Sequence, residues 1–195
     1  MAERVPTREW ARRLVLLERG TGWRVSQCLG VAWPDFDRRP GELELRPDLG
    51  KSESERAGRR IPLPIWLADQ IVSWWKADGQ PTSGPIVGST QTFKRASMVI
   101  REYWMASGAD EALFKGRPDH AFRIALVSQV RAAGVDADAI EAYVGHAIAG
   151  VRRHYVDVAK LPLVDVAKAI PAPSRVPGVS QKTGLDSRSR YKSKG

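Results

Sequence analysis

Four residues whose types suit phosphate chemistry lie close together in the second half of the chain. His120 and Arg123 stand three residues apart in the run HAFR, so both can project from one side of a helix. His146 follows in VGH, and Tyr155 comes nine residues later in RRHYVD. A guanidinium binds phosphate oxygens bidentately and stays charged, and a phenol can act as a nucleophile. These residues therefore predict a site for a phosphodiester.

Two other kinds of site fit the sequence less well. The four residues make a poor metal site, because the set contains neither a carboxylate nor a thiolate. Gly50, Lys51 and Ser52 imitate the end of a phosphate-binding loop, but Leu45 stands where that motif requires its first glycine. The sequence therefore supports neither a metal centre nor an ATPase.

The elements that must position these residues are predicted to be mainly helical, with a small antiparallel sheet (an α+β class). Apolar spacing and capping residues indicate the helices, and a change of period indicates the strands. We expect Asp119 to cap the helix that carries HAFR, and Asp136 and Gly145 to bound the helix before His146. Other helices are expected from Thr7 to about Gly20, over 24–31, after Pro64, from Thr90 or Thr92, between Gly145 and Tyr155, and over 163–170. The strands are expected over 33–37, 42–46 and 59–63.

Composition narrows the class of protein without deciding it. The chain has 195 residues, a formal net charge of +9 and one cysteine, Cys28, expected in the core. The basic excess points to a polyanionic partner, but residues 171–195 hold six basic residues against Asp186. They contribute +5 of that charge and leave +4 for the rest. No segment reads as a signal peptide or membrane helix, so a cytoplasmic location is expected.

The motifs, taken in order, resemble the conserved boxes of the tyrosine recombinase (phage integrase) family. HAFR, AAGVDADAIEAYVGH and GVRRHYVD resemble its second arginine, histidine and tyrosine boxes. GTGWRVSQCLGVAWPDFD resembles its first arginine box, and LRPDLGKSESERAGRRIPLP resembles the hairpin that carries its lysine. The resemblance runs from about residue 7 to 170. It implies the catalytic residues Arg24, Lys51, His120, Arg123, His146 and Tyr155.

The resemblance also implies a fold and a reaction. The fold would be the integrase catalytic core of DNA breaking-rejoining enzymes, over residues 1–170. Tyr155 would attack the scissile phosphate and form a 3′-phosphotyrosyl link, while the two arginines hold the phosphate and stabilise its developing charge. Lys51, or one of the neighbouring cations Arg56, Arg59 and Arg60, would protonate the leaving 5′-oxygen. The histidines would assist by hydrogen bonding and proton transfer, and no metal or other cofactor is required.

The partner implied is double-stranded DNA, bound by a protein that is a monomer in solution and a tetramer on DNA. Leu163 to Ile170 is a candidate for docking on a neighbouring subunit, or for packing on its own. Residues 171–195 are expected to be a disordered basic tail. A helical DNA-clamping domain, usual in the family before residue 7, is expected to be absent, which would make the chain a fragment, a single domain or a degenerate copy.

Two positions depart from the family pattern. Gln27 stands where an acidic residue usually follows the first arginine, and Ala147 stands where a hydroxyl residue is common. Three alternatives therefore stay open: a non-catalytic DNA-binding remnant, a type IB topoisomerase, and an unrelated basic nucleic-acid binder. The sequence does not specify the DNA target, the mobile element or host, or whether the reaction is integration, excision or resolution.

Overall fold

Helices make up most of the secondary structure in this computed structural model, which describes residues 9–39, 41–49, 58–88, 90–106, 118–146 and 157–173. The predicted class, mainly helical with a small antiparallel sheet, is confirmed for these residues. The described helices are α1 (Glu9–Thr21), α2 (Val25–Gly30), α3 (Ile65–Ala77), α4 (Phe93–Ala106), α5 (Pro118–Ala132), α6 (Ala137–Val144) and α7 (Leu163–Ala169). The described strands are β1 (Phe36–Asp37), β2 (Glu42–Leu45) and β3 (Arg59–Pro62). No described helix is long and apolar enough to cross a membrane.

The three described strands form one antiparallel sheet in the order β1-β2-β3. Leu43 in the middle strand pairs with Phe36 on one side and Ile61 on the other, and all three are buried. The alternation of apolar and polar residues in β2 therefore places one face on the core. The strand predicted from Trp33 begins only at Phe36.

A 3₁₀ turn replaces the first part of that predicted strand. Trp33–Asp35 form this turn, which includes Pro34. The carboxylate of Asp35 accepts a hydrogen bond from the backbone N–H of Ala32 at 2.8 Å. This local bond and the fixed φ of proline favour a turn over an extended strand.

The core lies where α1 packs against α2, α4 and α5. The apolar stripe predicted on α5, formed by Phe122, Leu126 and Val130, is at most 4% exposed. Leu14 and Leu17 of α1 are completely buried beside it. This packing fixes the face of α5 that carries Arg123, because the stripe can face only one way.

The boundaries of α6 are as predicted, whereas the predicted start of α5 is wrong. The Asp136 side chain accepts a hydrogen bond from Ala139 N at 2.9 Å, and Gly145 ends α6 with φ +79°. The helix α5 begins at Pro118, so Asp119 lies within its first turn and does not precede it as a cap. Proline suits the first helical position because its φ is already helical and no N–H is needed there.

Candidate active site

Arg123 joins three segments that are far apart in the sequence. It lies on α5 with 5% of its surface exposed. Its Nε donates to the carbonyl oxygen of Gly22 at 2.6 Å, across 101 positions of the chain. Its Nη1 lies 3.1 Å from Nε2 of His146. The turn before Arg24, the helix of the HAFR motif and the turn that carries His146 therefore meet at one guanidinium.

Gly22 makes the close approach of these segments possible. It has φ +64°, and a Cβ at this position would lie 3.0 Å from Cγ1 of Val144 and 3.3 Å from Cδ1 of Leu126. A larger residue would face both a conformational cost and crowding against α5 and α6. The glycine thus lets the turn expose its carbonyl to Arg123.

Arg24 follows this turn directly and is the N-cap residue of α2. Thr21 holds this turn in place: its hydroxyl donates to Leu17 O at 2.6 Å and accepts from Trp23 N at 3.1 Å. The backbone N–H of Arg24 donates to Oε1 of Gln27 at 2.9 Å. The position of Arg24 is therefore set by backbone and helix-end contacts.

Gln27, which stands where the resemblance predicted an acidic residue, has a structural role at this helix start. It is completely buried, and its Oε1 satisfies the Arg24 N–H. Its Nε2 has no hydrogen-bond partner within the ranges that the structure describes. An amide fills the position of the usual carboxylate without placing a negative charge there.

His146 lies directly after Gly145 and contacts charged groups through both ring nitrogens. Nε2 faces Arg123, and Nδ1 lies 2.6 Å from Oε2 of Glu141. The other oxygen of Glu141 accepts from Nη2 of Arg131 at 2.7 Å. The imidazole is therefore held between a guanidinium and a carboxylate.

Arg59, at the start of β3, also reaches the turn that carries His146. Its Nη2 donates to Val144 O at 3.1 Å, and its guanidinium lies 5.5 Å from the centre of the Trp23 ring. A Cβ on Gly145 would collide with that guanidinium. The neighbouring Arg60 instead pairs with Asp37 and Glu44 on the sheet.

From the sequence, Arg59 is one of several cations near Lys51. Its position shows a contact with the His146 turn that no local motif signals, because Val144 lies 85 positions away in the chain. The motifs offered Arg59 as one alternative to Lys51 but did not predict its contact with Val144.

The structure describes four of the six catalytic residues predicted from the sequence. Arg123 and His146 are in contact, and the Arg24 turn meets Arg123 through Gly22. His120 is partly buried on α5, three residues before Arg123. Lys51 and Tyr155, together with Arg56, Ala147 and the predicted helix after Gly145, lie outside the described residues.

A second tyrosine, Tyr143, lies behind the site and has a structural role. It is completely buried, and its hydroxyl donates to Gly20 O at 3.0 Å. Burial raises the pKa of Tyr143 far above that of an ordinary phenol. It remains a neutral hydrogen-bond donor that ties α6 to the end of α1.

Cys28 is part of the core, as predicted. It is completely buried, and its pKa is raised well above the ordinary value, first by burial and then by the nearby carboxylate of Glu18. Within the described ranges, no group of three or more His, Cys, Asp or Glu side chains is placed to hold a metal ion.

Comparison with known proteins gives one relevant similarity. The chain is 27% identical over 159 residues to a protein named tyrosine recombinase XerA from Thermococcus kodakarensis. The match covers 78% of this chain and 52% of that protein, so the chain spans about half the length of this relative. No protein-family model matches the chain, and no solved structure matches it. The similarity supports a distant relation to the tyrosine recombinases.

Proposed function

We propose that this chain is the catalytic domain of a tyrosine recombinase, which cleaves and rejoins double-stranded DNA through a 3′-phosphotyrosyl intermediate. The observation that carries the proposal is the pair of contacts made by Arg123, with Gly22 at 2.6 Å and with His146 at 3.1 Å. Three motifs that resemble separate boxes of that family converge there. Accidental matches to short motifs would have no reason to meet in space.

The geometry of Arg123 suits recognition of a phosphate. Its Nε is held by a backbone carbonyl, which fixes the plane of the guanidinium, and the surrounding core lowers its freedom further. A fixed, permanently charged guanidinium gives directed hydrogen bonds that a flexible ammonium cannot. Arg24, three residues after Thr21, would supply the second cation.

The proposed reaction balances without a bound metal or nucleotide. The phenolic oxygen of Tyr155 forms a bond to phosphorus as its proton passes to a base. Nε2 of His146 is the candidate base, once Nη1 of Arg123 has moved from Nε2 to a phosphate oxygen. The bond between phosphorus and the 5′-oxygen breaks, and Lys51 gives a proton to that oxygen. Arg24 and Arg123 stabilise the charge on the non-bridging oxygens during the step. His120 would add a hydrogen bond to the same phosphate.

Further parts of the proposal concern extent and assembly. The catalytic domain would occupy residues 1–170 with the integrase core fold, and the basic residues of 171–195 would add electrostatic attraction to DNA. Assembly into a tetramer would occur on DNA. The name of the XerA relative supports the proposed activity.

A covalent trapping experiment tests the proposed chemistry. The protein is incubated with a pool of nicked suicide duplexes of random sequence, denatured and examined by gel for a protein–DNA adduct. We expect an adduct with the wild type and none with Tyr155→Phe. Tyr143→Phe is the matched control: it removes one buried hydroxyl and costs about 1 kcal/mol of stability, but the adduct should still form.

The remaining outcomes separate the alternatives. An adduct that persists in Tyr155→Phe would contradict the assigned nucleophile. Binding that weakens with salt, with no adduct from the wild type, would indicate a non-catalytic DNA-binding protein and contradict the enzyme. Relaxation of supercoiled plasmid without exchange between two duplexes would favour a topoisomerase.

A further inference from the structure

Four side chains form a continuous line of polar contacts across the candidate site. Arg131 donates to Oε1 of Glu141 at 2.7 Å, Oε2 of Glu141 lies 2.6 Å from Nδ1 of His146, and Nε2 of His146 lies 3.1 Å from Nη1 of Arg123. The line runs from an exposed residue at the end of α5 to the buried guanidinium. Glu141 is the one carboxylate in this line, and no motif discussed above assigns it a role.

The contacts determine which nitrogen of His146 carries the hydrogen. A guanidinium has donors only, so Nε2 must accept the hydrogen bond from Arg123. An ionised carboxylate accepts only, so Nδ1 must donate to Glu141. These two contacts fit a ring with its hydrogen on Nδ1. Its lone pair lies on Nε2, on the side of Arg123.

We propose that Glu141 is a positioning residue that holds His146 in this tautomer and makes Nε2 the proton acceptor of the site. This inference rests on the proposed function, since it concerns how that same site carries out its chemistry. A carboxylate bonded to Nδ1 fixes both the tautomer and the orientation of an imidazole, and it stabilises the ring when Nε2 becomes protonated.

The local structure explains how Glu141 can hold this position. It lies near the end of α6, and the glycine turn at Gly145 folds the backbone so that the His146 N–H donates to Glu141 O at 2.8 Å. The histidine is thus bonded to Glu141 through its main chain and its side chain. Arg131 fixes the other carboxylate oxygen, so rotation of the Glu141 side chain would break two charge-assisted hydrogen bonds.

Glu141 supplies a negative charge to the site, whereas Gln27 is an uncharged amide. Nη1 of Arg123 would move from Nε2 to a phosphate oxygen when DNA binds, which frees the lone pair of Nε2. The proton released as the Tyr155 oxygen bonds to phosphorus would then move to Nε2, and the ring would carry a positive charge. The Glu141 carboxylate at Nδ1 offsets that charge. No proton needs to transfer to Glu141 itself, because the hydrogen on Nδ1 stays in place.

The first test is a direct reading of the tautomer. In the ¹⁵N-labelled protein, long-range ¹H–¹⁵N correlations distinguish the protonated nitrogen of His146 from the unprotonated one. We expect a protonated Nδ1 in the wild type and in Glu141→Gln, because the amide oxygen can still accept. In Glu141→Ala we expect the form with hydrogen on Nε2 to gain population. Glu9→Ala is the matched control and should retain the wild-type tautomer, since it removes an exposed carboxylate that pairs with Arg13, away from His146.

Two results of this measurement would overturn the inference. One is a wild-type ring with its hydrogen on Nε2. The other is a tautomer that is unchanged in Glu141→Ala, or that changes equally in Glu9→Ala. A thermal unfolding curve for each variant verifies that the fold is intact. Glu141 is only partly buried, so we expect its replacement to leave the core packing unchanged.

The second test measures the rate of adduct formation with the suicide duplexes. Loss of a residue that orients a reacting imidazole typically lowers activity by about 10 to 100-fold, so we expect a fall of at least about tenfold in Glu141→Ala. Glu141→Gln should restore part of that rate, and Glu9→Ala should stay near the wild type. If the wild type forms adduct and Glu141→Ala matches it, the role of Glu141 is wrong. If the wild type forms none, the proposed function itself fails.

Discussion

Arg13 and Arg123 are equally buried, at 5% exposure each, but different kinds of partner hold them. The two Nη atoms of Arg13 donate to the two carboxylate oxygens of Asp78 at 2.6 and 2.7 Å, and its Nε donates to Glu9 at 3.3 Å. Arg123 meets the Gly22 carbonyl through Nε and the His146 ring through Nη1. The Arg13 guanidinium is held by carboxylates, whereas the Arg123 guanidinium contacts a backbone carbonyl and an imidazole.

This difference separates a structural arginine from a candidate phosphate ligand. The carboxylate of Asp78 already uses the bidentate edge of Arg13 that a phosphate would need. That pair links α1 to the end of α3, and hydrogen bonding to Asp78 raises the pKa of Arg13 above its ordinary value. In Arg123, the contact of Nε with Gly22 O orients the guanidinium. The contact of Nη1 is with His146, a second residue of the proposed reaction.

The largest expected effect is on catalysis. Arg123→Ala should lower the rate of adduct formation by about 100-fold or more, the usual loss when a donor to a developing oxyanion is removed. Arg123→Lys should recover little, because an ammonium does not reproduce the fork of donors. The measurement is single-turnover trapping with the suicide duplexes. Arg13→Ala, assayed below its unfolding temperature, is the control and should react at the wild-type rate per folded molecule.

The corresponding effect on stability should appear at the other arginine. Arg13→Ala should lower the free energy of unfolding by about 2 kcal/mol, because it removes a bidentate charged pair and leaves Asp78 to be rehydrated. Urea titration followed by tryptophan fluorescence measures this quantity. A loss below about 0.5 kcal/mol, the size of an ordinary surface substitution, would contradict the structural role.

The turn on the Arg123 side can be perturbed through Gly145. Gly145→Ala should cost about 1 to 2 kcal/mol, because alanine disfavours a positive φ and its Cβ would collide with the Arg59 guanidinium. Combining it with Arg59→Ala should recover the part of the loss due to the collision, leaving the backbone strain. A double-mutant cycle by urea unfolding gives the coupling. Strictly additive losses in the free energy of unfolding would mean that the Arg59 guanidinium does not crowd a side chain at position 145.

The smallest expected effect is a pH dependence at the Arg13 pair. Hydrogen bonding from Arg13 lowers the pKa of Asp78 in the folded protein. The pair therefore contributes its full stability above the ordinary aspartate pKa of about 4, and that contribution is lost as the pH falls through the lowered value. Asp78→Asn should differ from the wild type by about 1 kcal/mol near neutrality, after allowance for solvent screening. The difference should shrink in acid, and a constant difference across that range would contradict the assignment.

Features that depend on neighbouring residues could be predicted from the sequence. The helix bounded by Asp136 and Gly145 is correct because a cap and a left-handed glycine act within one turn. The buried stripe of α5 is correct because helical periodicity is local. The start of α5 and the first residues of β1 were wrong, since Pro118 and Pro34 changed the local backbone preference.

The sequence by itself determined the residue types, their order, the helix that carries His120 and Arg123, and the helix ends next to Arg24 and His146. The assignments of Lys51 and Tyr155 remain predictions from the motifs. Only the tertiary structure decided that Arg123 bonds to Gly22, that Arg59 supports the His146 turn, and that Glu141 and Arg123 hold the two sides of one imidazole. The contacts of Arg123 with Gly22 and of Arg59 with Val144 join positions 101 and 85 residues apart. They arise from the packing of the helices on a common core, which no local preference specifies.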